Sequence, residues 1–424
     1  MNNTMKLVSC TVMLSALALG CGGGDETSPA STEGSGGAGG EGTGGQGTGG
    51  AGNGGAGMGG AGMGGAGTGG EGSVGSRWVM GYYVGYQVNL YPPEAIDFKN
   101  LTHLAVGRVT PQQDGSLGTT FDIDPVSGPA LAKQLTTLTH NAGKKAILMV
   151  GGAGEYWGWV GAASDANRAT FVKNLVDFMD EHGFDGLDID WEPIEAQDQA
   201  PLKALAEELR AAKPGILLTL PVGWVSSNFP EVGSFYSEIA PLFDQINIMS
   251  YYMADAWPGW STWHSSPLYG ESPTTPSSIA SSVKAYVDAG MPAGKLGVGI
   301  GFYGACWAGG VTEPKTDPGG SSIVADDNLM SFTNIMSSYY EPQGRKWDDV
   351  AKVPYLSYPS AKGQHGCTFI SYEDEQSIQE KGAFVKQEGL GGVIIWTINQ
   401  GHLPNAPAGE RDPLLAATMQ SLAD

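Results

Sequence analysis

The chain has 424 residues, 44 of them Asp or Glu and 22 Lys or Arg, so its formal net charge is −22, and hydrophobic residues make up 41%. That charge excludes a phosphate-backbone partner, which needs a basic face, and leaves a neutral or cationic ligand. The length accommodates one α/β barrel of about 250 residues with additions.

At the N-terminus, Lys6 precedes the apolar run Leu7–Leu19, which is too short to span a bilayer and reads as a targeting signal. The run ends in Ala18-Leu19-Gly20-Cys21. This resembles the lipobox of bacterial lipoproteins, in which cleavage leaves a lipidated Cys. Leu19 stands two places before Cys21 instead of the usual three, and a plain signal cut nearby is the alternative. Residues 1–21 are therefore expected to direct the protein to the cell surface or beyond, with Cys21 as a lipid anchor. Residues 22–76 are dominated by Gly, with a five-residue echo at Met58 and Met63, and lack the period of three that collagen needs. So few large apolar side chains cannot offset ordering entropy, and a disordered tether with a reach of roughly 40 Å is expected. Cys10 lies in the signal, which leaves Cys306 and Cys367 as either a disulfide in an oxidising compartment or two unpaired thiols.

From Trp78 onward, β-branched and aromatic runs alternate with amphipathic stretches, the pattern of repeated βα units. Eight strands are expected at Val79–Val84, Leu101–Arg108, Lys145–Gly151, Gly183–Asp190, Ile216–Pro221, Gln245–Ser250, Lys295–Gly301 and Gly392–Thr397. The clearest helices between them are Asp165–His182, Ala200–Ala212, Pro276–Ala289, Gln376–Gln387 and Pro413–Ala423. Strands apolar on both faces imply a covered parallel sheet, and eight of them a closed (β/α)8 TIM barrel over residues 77–424. The distance from Gly301 to Gly392 is too long for one loop and one helix, so a small α+β insertion is expected there, at about 308–373, beside the active face.

The segment Asp185-Gly186-Leu187-Asp188-Ile189-Asp190-Trp191-Glu192 carries the chemistry. Alternation along a strand puts Asp188, Asp190 and Glu192 on one face and Leu187, Ile189 and Trp191 on the other. The acids then point into the barrel about 6.6 Å apart by rise, where burial forces shared protons and coupled titration. A calcium loop would need a turn-forming Gly between its acids, and here Ile and Trp fill the gaps, so no metal is expected.

The octet matches the Asp-Gly-x-Asp-x-Asp-x-Glu signature of family 18 glycoside hydrolases, which carry it on the fourth barrel strand. Gly81-Tyr82-Tyr83 resembles that family's first strand, Leu296–Tyr303 its seventh, Gly389–Trp396 its eighth, and Val350–Tyr358 part of its chitinase insertion lobe. The resemblance implies a chitinase that hydrolyses β-1,4-linked N-acetylglucosamine polymers without a cofactor. The substrate's own N-acetyl carbonyl is the nucleophile and configuration is retained. It further implies that Glu192 protonates the leaving oxygen, Asp190 orients the acetamido group and exchanges a proton with Asp188, Tyr251 supports the acetamido oxygen, and Trp396 floors the pocket. The mouth-most position of Glu192 agrees with the acid role.

Tyr82 and Met249, on expected strands, and Gly152, directly after the third, are candidates for substrate binding in this resemblance. Nine of the eleven tryptophans, all but Trp78 and Trp347, lie in or just after expected strand ends. Among them, exposed members of Trp157, Trp159, Trp224, Trp260 and Trp307 are candidates for stacking sugars. Two positions depart from the family pattern. Met149 stands where a strand-three serine would hydrogen-bond the deep aspartate, and Tyr252 where many chitinases have Asp. A sugar-binding lectin on the same barrel and an endo-β-N-acetylglucosaminidase acting on N-glycans are the alternatives. The intact Glu192 argues against the first, and the Trp-rich face with its insertion argues against the second. Chitin or its oligomers are the expected partners of a monomer.

Overall fold

A computed structural model describes residues 77–226 and 232–423; the signal, the tether and Cys21 lie outside them. Eight parallel strands, Trp78–Val84, His103–Pro111, Lys145–Gly151, Gly186–Asp190, Leu217–Gly223, Gln245–Met249, Leu296–Gly301 and Gly392–Trp396, follow one another around a ring. The first pairs with both the second and the eighth, which closes the barrel. This is the (β/α)8 fold expected from the alternating pattern.

Period-two alternation sorts each strand into an inner and an outer layer. Met80, Tyr82, Ala105, Ile147, Met149 and Ile394 pack inside, while Tyr83, Leu104, Val106, Leu148, Leu187 and Ile189 join the outer core. The surrounding helices cover that core with residues spaced three and four apart, such as Phe171 and Leu175 on Arg168–His182, or Leu202, Leu205 and Leu209 on Gln199–Ala212.

Element ends differ from the expectation for local reasons. Gly183 adopts a left-handed φ of 85° and caps Arg168–His182 through its N–H to the Met179 carbonyl. The fourth strand therefore begins at Gly186, not Gly183. The second strand runs past Arg108 to Pro111 because Thr110 and Pro111 pair with the short strand Leu117–Gly118.

Between the seventh and eighth strands the chain builds a five-stranded antiparallel sheet in the order Ser322–Ala325, Ala305–Ala308, Cys367–Ser371, Val353–Lys362, Arg345–Asp348, with the helix Phe332–Ser338. The lobe begins at Ala305, a few residues before the expected boundary. Cys306 and Cys367 are disulfide-bonded with their Cα atoms 5.3 Å apart, on neighbouring strands of this sheet. Trp307 and Phe369 stack beside them as the lobe's own core. Among the described residues, no helix is long and apolar enough to cross a membrane.

Candidate active site

Asp190, Met249 and Trp396 end their strands, and Glu192, Trp224 and Tyr251 follow directly, at the C-terminal end of the barrel where folds of this kind carry their chemistry. Asp185 does not join them. It sits at the entry to the fourth strand, bound by Lys145 Nζ, the Ala146 N–H and His140 Nε2 at 2.9 Å each. Its role is to fix the strand's start.

One turn of alternation further, Asp188 is completely buried. Tyr82 Oη donates to its Oδ2 at 2.7 Å and Thr219 Oγ1 to its Oδ1. Burial pushes the Asp188 carboxyl up to about 6, and the two donors hold it back from rising further. Thr219, on the neighbouring fifth strand, supplies the hydroxyl that Met149 cannot. Met149 lies beside Asp188 in register, and its side chain fills the space next to Gly107 and Gly152. The serine's replacement thus leaves no deep-aspartate oxygen unpaired.

Asp190 is buried as well, and among the described residues no N–H or hydroxyl donates to its Oδ1. Burial, then the negative charges of Glu192 and Asp188, drive it well above the usual carboxylate range. Glu192 is raised too, chiefly by burial, with its hydrogen bond to Asp190 pulling it back. The two carboxyls therefore hold one proton between them, because two ionised neighbours in a dry site cost too much. An orphaned oxygen at such a place invites a donor from a ligand.

The opposite face of the strand explains why these acids stay in place. Trp191 stacks on Trp159 with ring centroids 5.3 Å apart and planes at 6°, and Trp159 Nε1 donates to the Asp190 carbonyl at 3.0 Å. Gly151, at φ 93°, makes room for that indole, since a Cβ there would lie 2.2 Å from Nε1. Trp159 is thus fully buried, as is Trp307 in the lobe, and neither offers a face to a sugar. Tryptophans that pin strand ends are indistinguishable in sequence from those that line a cleft.

Tyr251 follows the sixth strand with its ring against Gly299, where a Cβ would come within 2.7 Å of Cε1. Burial and the charges of Asp190, Glu192 and Asp188 keep its hydroxyl protonated, hence a donor at neutral pH. Tyr252, at φ 50°, donates its hydroxyl to Asp255 Oδ2 at 3.1 Å. Trp396 donates Nε1 to Asp327 Oδ1 of the lobe at 3.2 Å, and Gln400 Nε2 donates to the same oxygen at 2.7 Å. Tyr82 lies 5.4 Å from the Trp396 ring; it is buried and its hydroxyl is engaged by Asp188. Met249 packs with both at the top of the barrel interior.

Trp224, Trp257 and Trp260 form an aromatic cluster with centroids 4.8 to 6.5 Å apart. A cavity of about 470 Å³ is lined by Trp257, Trp260, Ser261, Thr274 and Asp317–Gly320. Trp157 stands apart on the helix Tyr156–Ala162 with 67% of its surface exposed. Among the described residues no group of three or more His, Cys, Asp or Glu side chains is arranged to hold a metal ion. Arg108, at the end of the second strand, was not singled out by sequence reasoning; its positive charge acts on both Asp190 and Glu192.

The chain is 33% identical over 321 residues to Chitinase A1 of Niallia circulans, an alignment covering 66% of this chain and 44% of that protein. The Group IV chitinase of Ostrinia furnacalis, solved in complex with allosamidin, superposes with a TM-score of 0.68 at 25% identity, covering 82% of this chain and 98% of that one. A family 18 N-acetylglucosaminidase from Paenibacillus barengoltzii superposes with a TM-score of 0.64 at 26% identity, covering 81% and 99% respectively. The sequence model for glycosyl hydrolases family 18 matches residues 78–401, from the first barrel strand to just past the eighth, so the chain belongs to that family.

Proposed function

We propose that this protein is a chitinase: it hydrolyses β-1,4-linked N-acetylglucosamine polymers and oligomers with retention of configuration, and Glu192 is its general acid and base. The observation that carries this reading is the file of Asp188 and Asp190 on the fourth strand and Glu192 two residues past its end, two of them buried and all three raised above the ordinary carboxylate range.

A protonated Glu192 at the mouth can deliver its proton to the glycosidic oxygen as the bond to C1 breaks. The substrate's acetamido oxygen attacks C1 from the other side and forms a cyclic oxazolinium. The orphaned Asp190 Oδ1 is suited to accept the acetamido N–H and to stabilise the positive charge that develops there. Tyr251, held neutral, can donate to the acetamido oxygen and orient it. Water then attacks C1 from the face the leaving group has left, Glu192 takes the proton, and the acetamide is regenerated. Trp396, braced by Asp327, offers its face to the pyranose ring, and the Trp224–Trp257–Trp260 cluster offers stacking surface further along the strand ends.

The test is product analysis by mass spectrometry with N-acetylglucosamine oligomers and an N-glycoprotein, using wild type and Glu192→Gln. Release of short N-acetylglucosamine oligomers by wild type, with kcat about 10²–10⁴-fold lower in the variant, is the expected result. Cleavage of the glycoprotein alone would replace the reading with an endoglycosidase. Binding without cleavage of either substrate would make the barrel a lectin.

A further inference from the structure

Arg108 occupies the end of the second barrel strand, and its guanidinium is bound on every side. Nε donates to Asp122 Oδ2 at 3.0 Å, Nη1 to the carbonyls of Gly151 at 2.9 Å and Ala153 at 3.4 Å, and Nη2 lies 3.4 Å from Glu155 Oε1.

Two backbone features are shaped around this fork. Phe121 and Asp122 take successive left-handed φ values of 49° and 55°. Such conformations cost a non-glycine residue about 1–3 kcal/mol and persist only where the surroundings impose them. Here the surroundings are the complete burial of Phe121, its stacking with Phe178, and the approach of its carbonyl to Gly85, where a Cβ would come within 2.0 Å. The consequence is an Asp122 carboxylate delivered to Arg108. On the other side, Gly151 and Gly152 are left-handed at 93° and 92°, which aims the Gly151 and Ala153 carbonyls at Arg108 while the Gly152 N–H donates to the Asp190 carbonyl at 2.7 Å. The Cβ position at Gly152 lies 3.5 Å from both Arg108 Nη1 and Asp190 Oδ2, so cation and carboxylate flank this residue.

We propose that Arg108 is a positioning residue for the Asp190–Glu192 pair: it clamps the Gly151–Ala153 turn beside Asp190 and supplies the positive charge that faces both carboxyls. The proposal rests on Glu192 being the acid. Glu192 faces Asp190 and Asp188 of the fourth strand, which it follows, Tyr251 just past the sixth and Arg108 on the second. Arg108 in turn faces Asp122, Glu155 and Tyr86. Arg108 is the cation in this set, and it opposes the rise that burial imposes on Glu192 and Asp190. Losing the charge makes both carboxyls hold their proton to higher pH.

The experiment compares wild type, Arg108→Gln, Arg108→Lys and Asp122→Asn on a soluble chromogenic chitobioside, with thermal unfolding to establish that each is folded. It adds a carbon-13 NMR titration of the Glu192 carboxyl in the intact protein. Arg108→Gln should move the alkaline limb of kcat/KM, and the Glu192 titration, up by about half a unit to one unit. It should also lower kcat more than it changes KM. Arg108→Lys should keep the limb near wild type while losing part of kcat, because an ammonium retains the charge but not the planar fork. Asp122→Asn, which spares the cation, should lower kcat without raising the limb. If Arg108→Gln leaves both the limb and the Glu192 titration at the wild-type position, Arg108 is a structural clamp only and the proposal fails. A wild type that does not hydrolyse the substrate sinks the functional reading alone, since the NMR titration still tests the charge.

Discussion

Asp188 is worth more to the site than to the fold. Its folded-state titration lies near 6, against an ordinary 3.8, because burial penalises the charged form. A proton bound more tightly in the folded state stabilises the fold fully below the ordinary value, and that contribution disappears as pH rises through 6, a cost of about 2–3 kcal/mol above it. Asp188→Asn keeps the shape and removes the titration. The variant's melting temperature should therefore depend less on pH between about 4 and 6 than that of wild type, and parallel curves would contradict the assignment. The acids themselves were legible in the sequence because period-two alternation is rigid: once Leu187 and Ile189 are outside, Asp188 and Asp190 are inside. Arg108 was not legible, since its meaning comes from Gly151 and Asp122, which are 43 and 14 residues away and contribute a carbonyl and a strained turn. Trp159 and Trp307 misled for a related reason: position at a strand end is visible in sequence, and burial is not.

Strands and helices were readable where hydrophobic period and length agreed, and their ends were not, because caps decide them. Gly183 looks like the first residue of a β-run until its left-handed φ shows it to be the end of the helix before. The insertion lobe was readable as surplus length and in the segment Val350–Tyr358, which falls on the observed strand Val353–Lys362, but its sheet order was not, because antiparallel pairing between distant segments leaves no local pattern. Its disulfide closes a separation of 61 residues. Chain entropy alone makes such a link worth about 4 kcal/mol, and measured values for native links run about 2–5 kcal/mol. Replacing both Cys306 and Cys367 by Ser should lower the denaturant midpoint accordingly. Because the lobe supplies Asp327 to brace Trp396, the same variant should lose affinity for oligomers before it loses kcat. An unchanged midpoint together with an unchanged KM would show that the lobe's sheet and core hold without the link.

Taken as one charged body, the protein carries twice as many acidic side chains as basic ones, 44 against 22. The field of such a surface does not act on a neutral N-acetylglucosamine oligomer, the substrate proposed above, which offers only ring faces and hydrogen-bonding groups. A partly deacetylated polymer differs, because each free amine protonated below its pKa is drawn toward the acidic surface, and Asp255 and Asp326 lie near the site, with Asp326 itself pushed up to about 6 by burial and its acidic neighbours. Attraction between exposed charges is screened within about 10 Å at 0.1 M salt and about 3 Å at 1 M. Raising ionic strength from about 0.01 M to about 0.5 M should therefore leave KM for a neutral oligomer nearly constant and raise KM for the cationic polymer several-fold. Below pH 6 the contrast should narrow as Asp326 takes up its proton. Equal salt dependence for both substrates would mean that the net charge serves solubility and plays no part in choosing what the cleft receives.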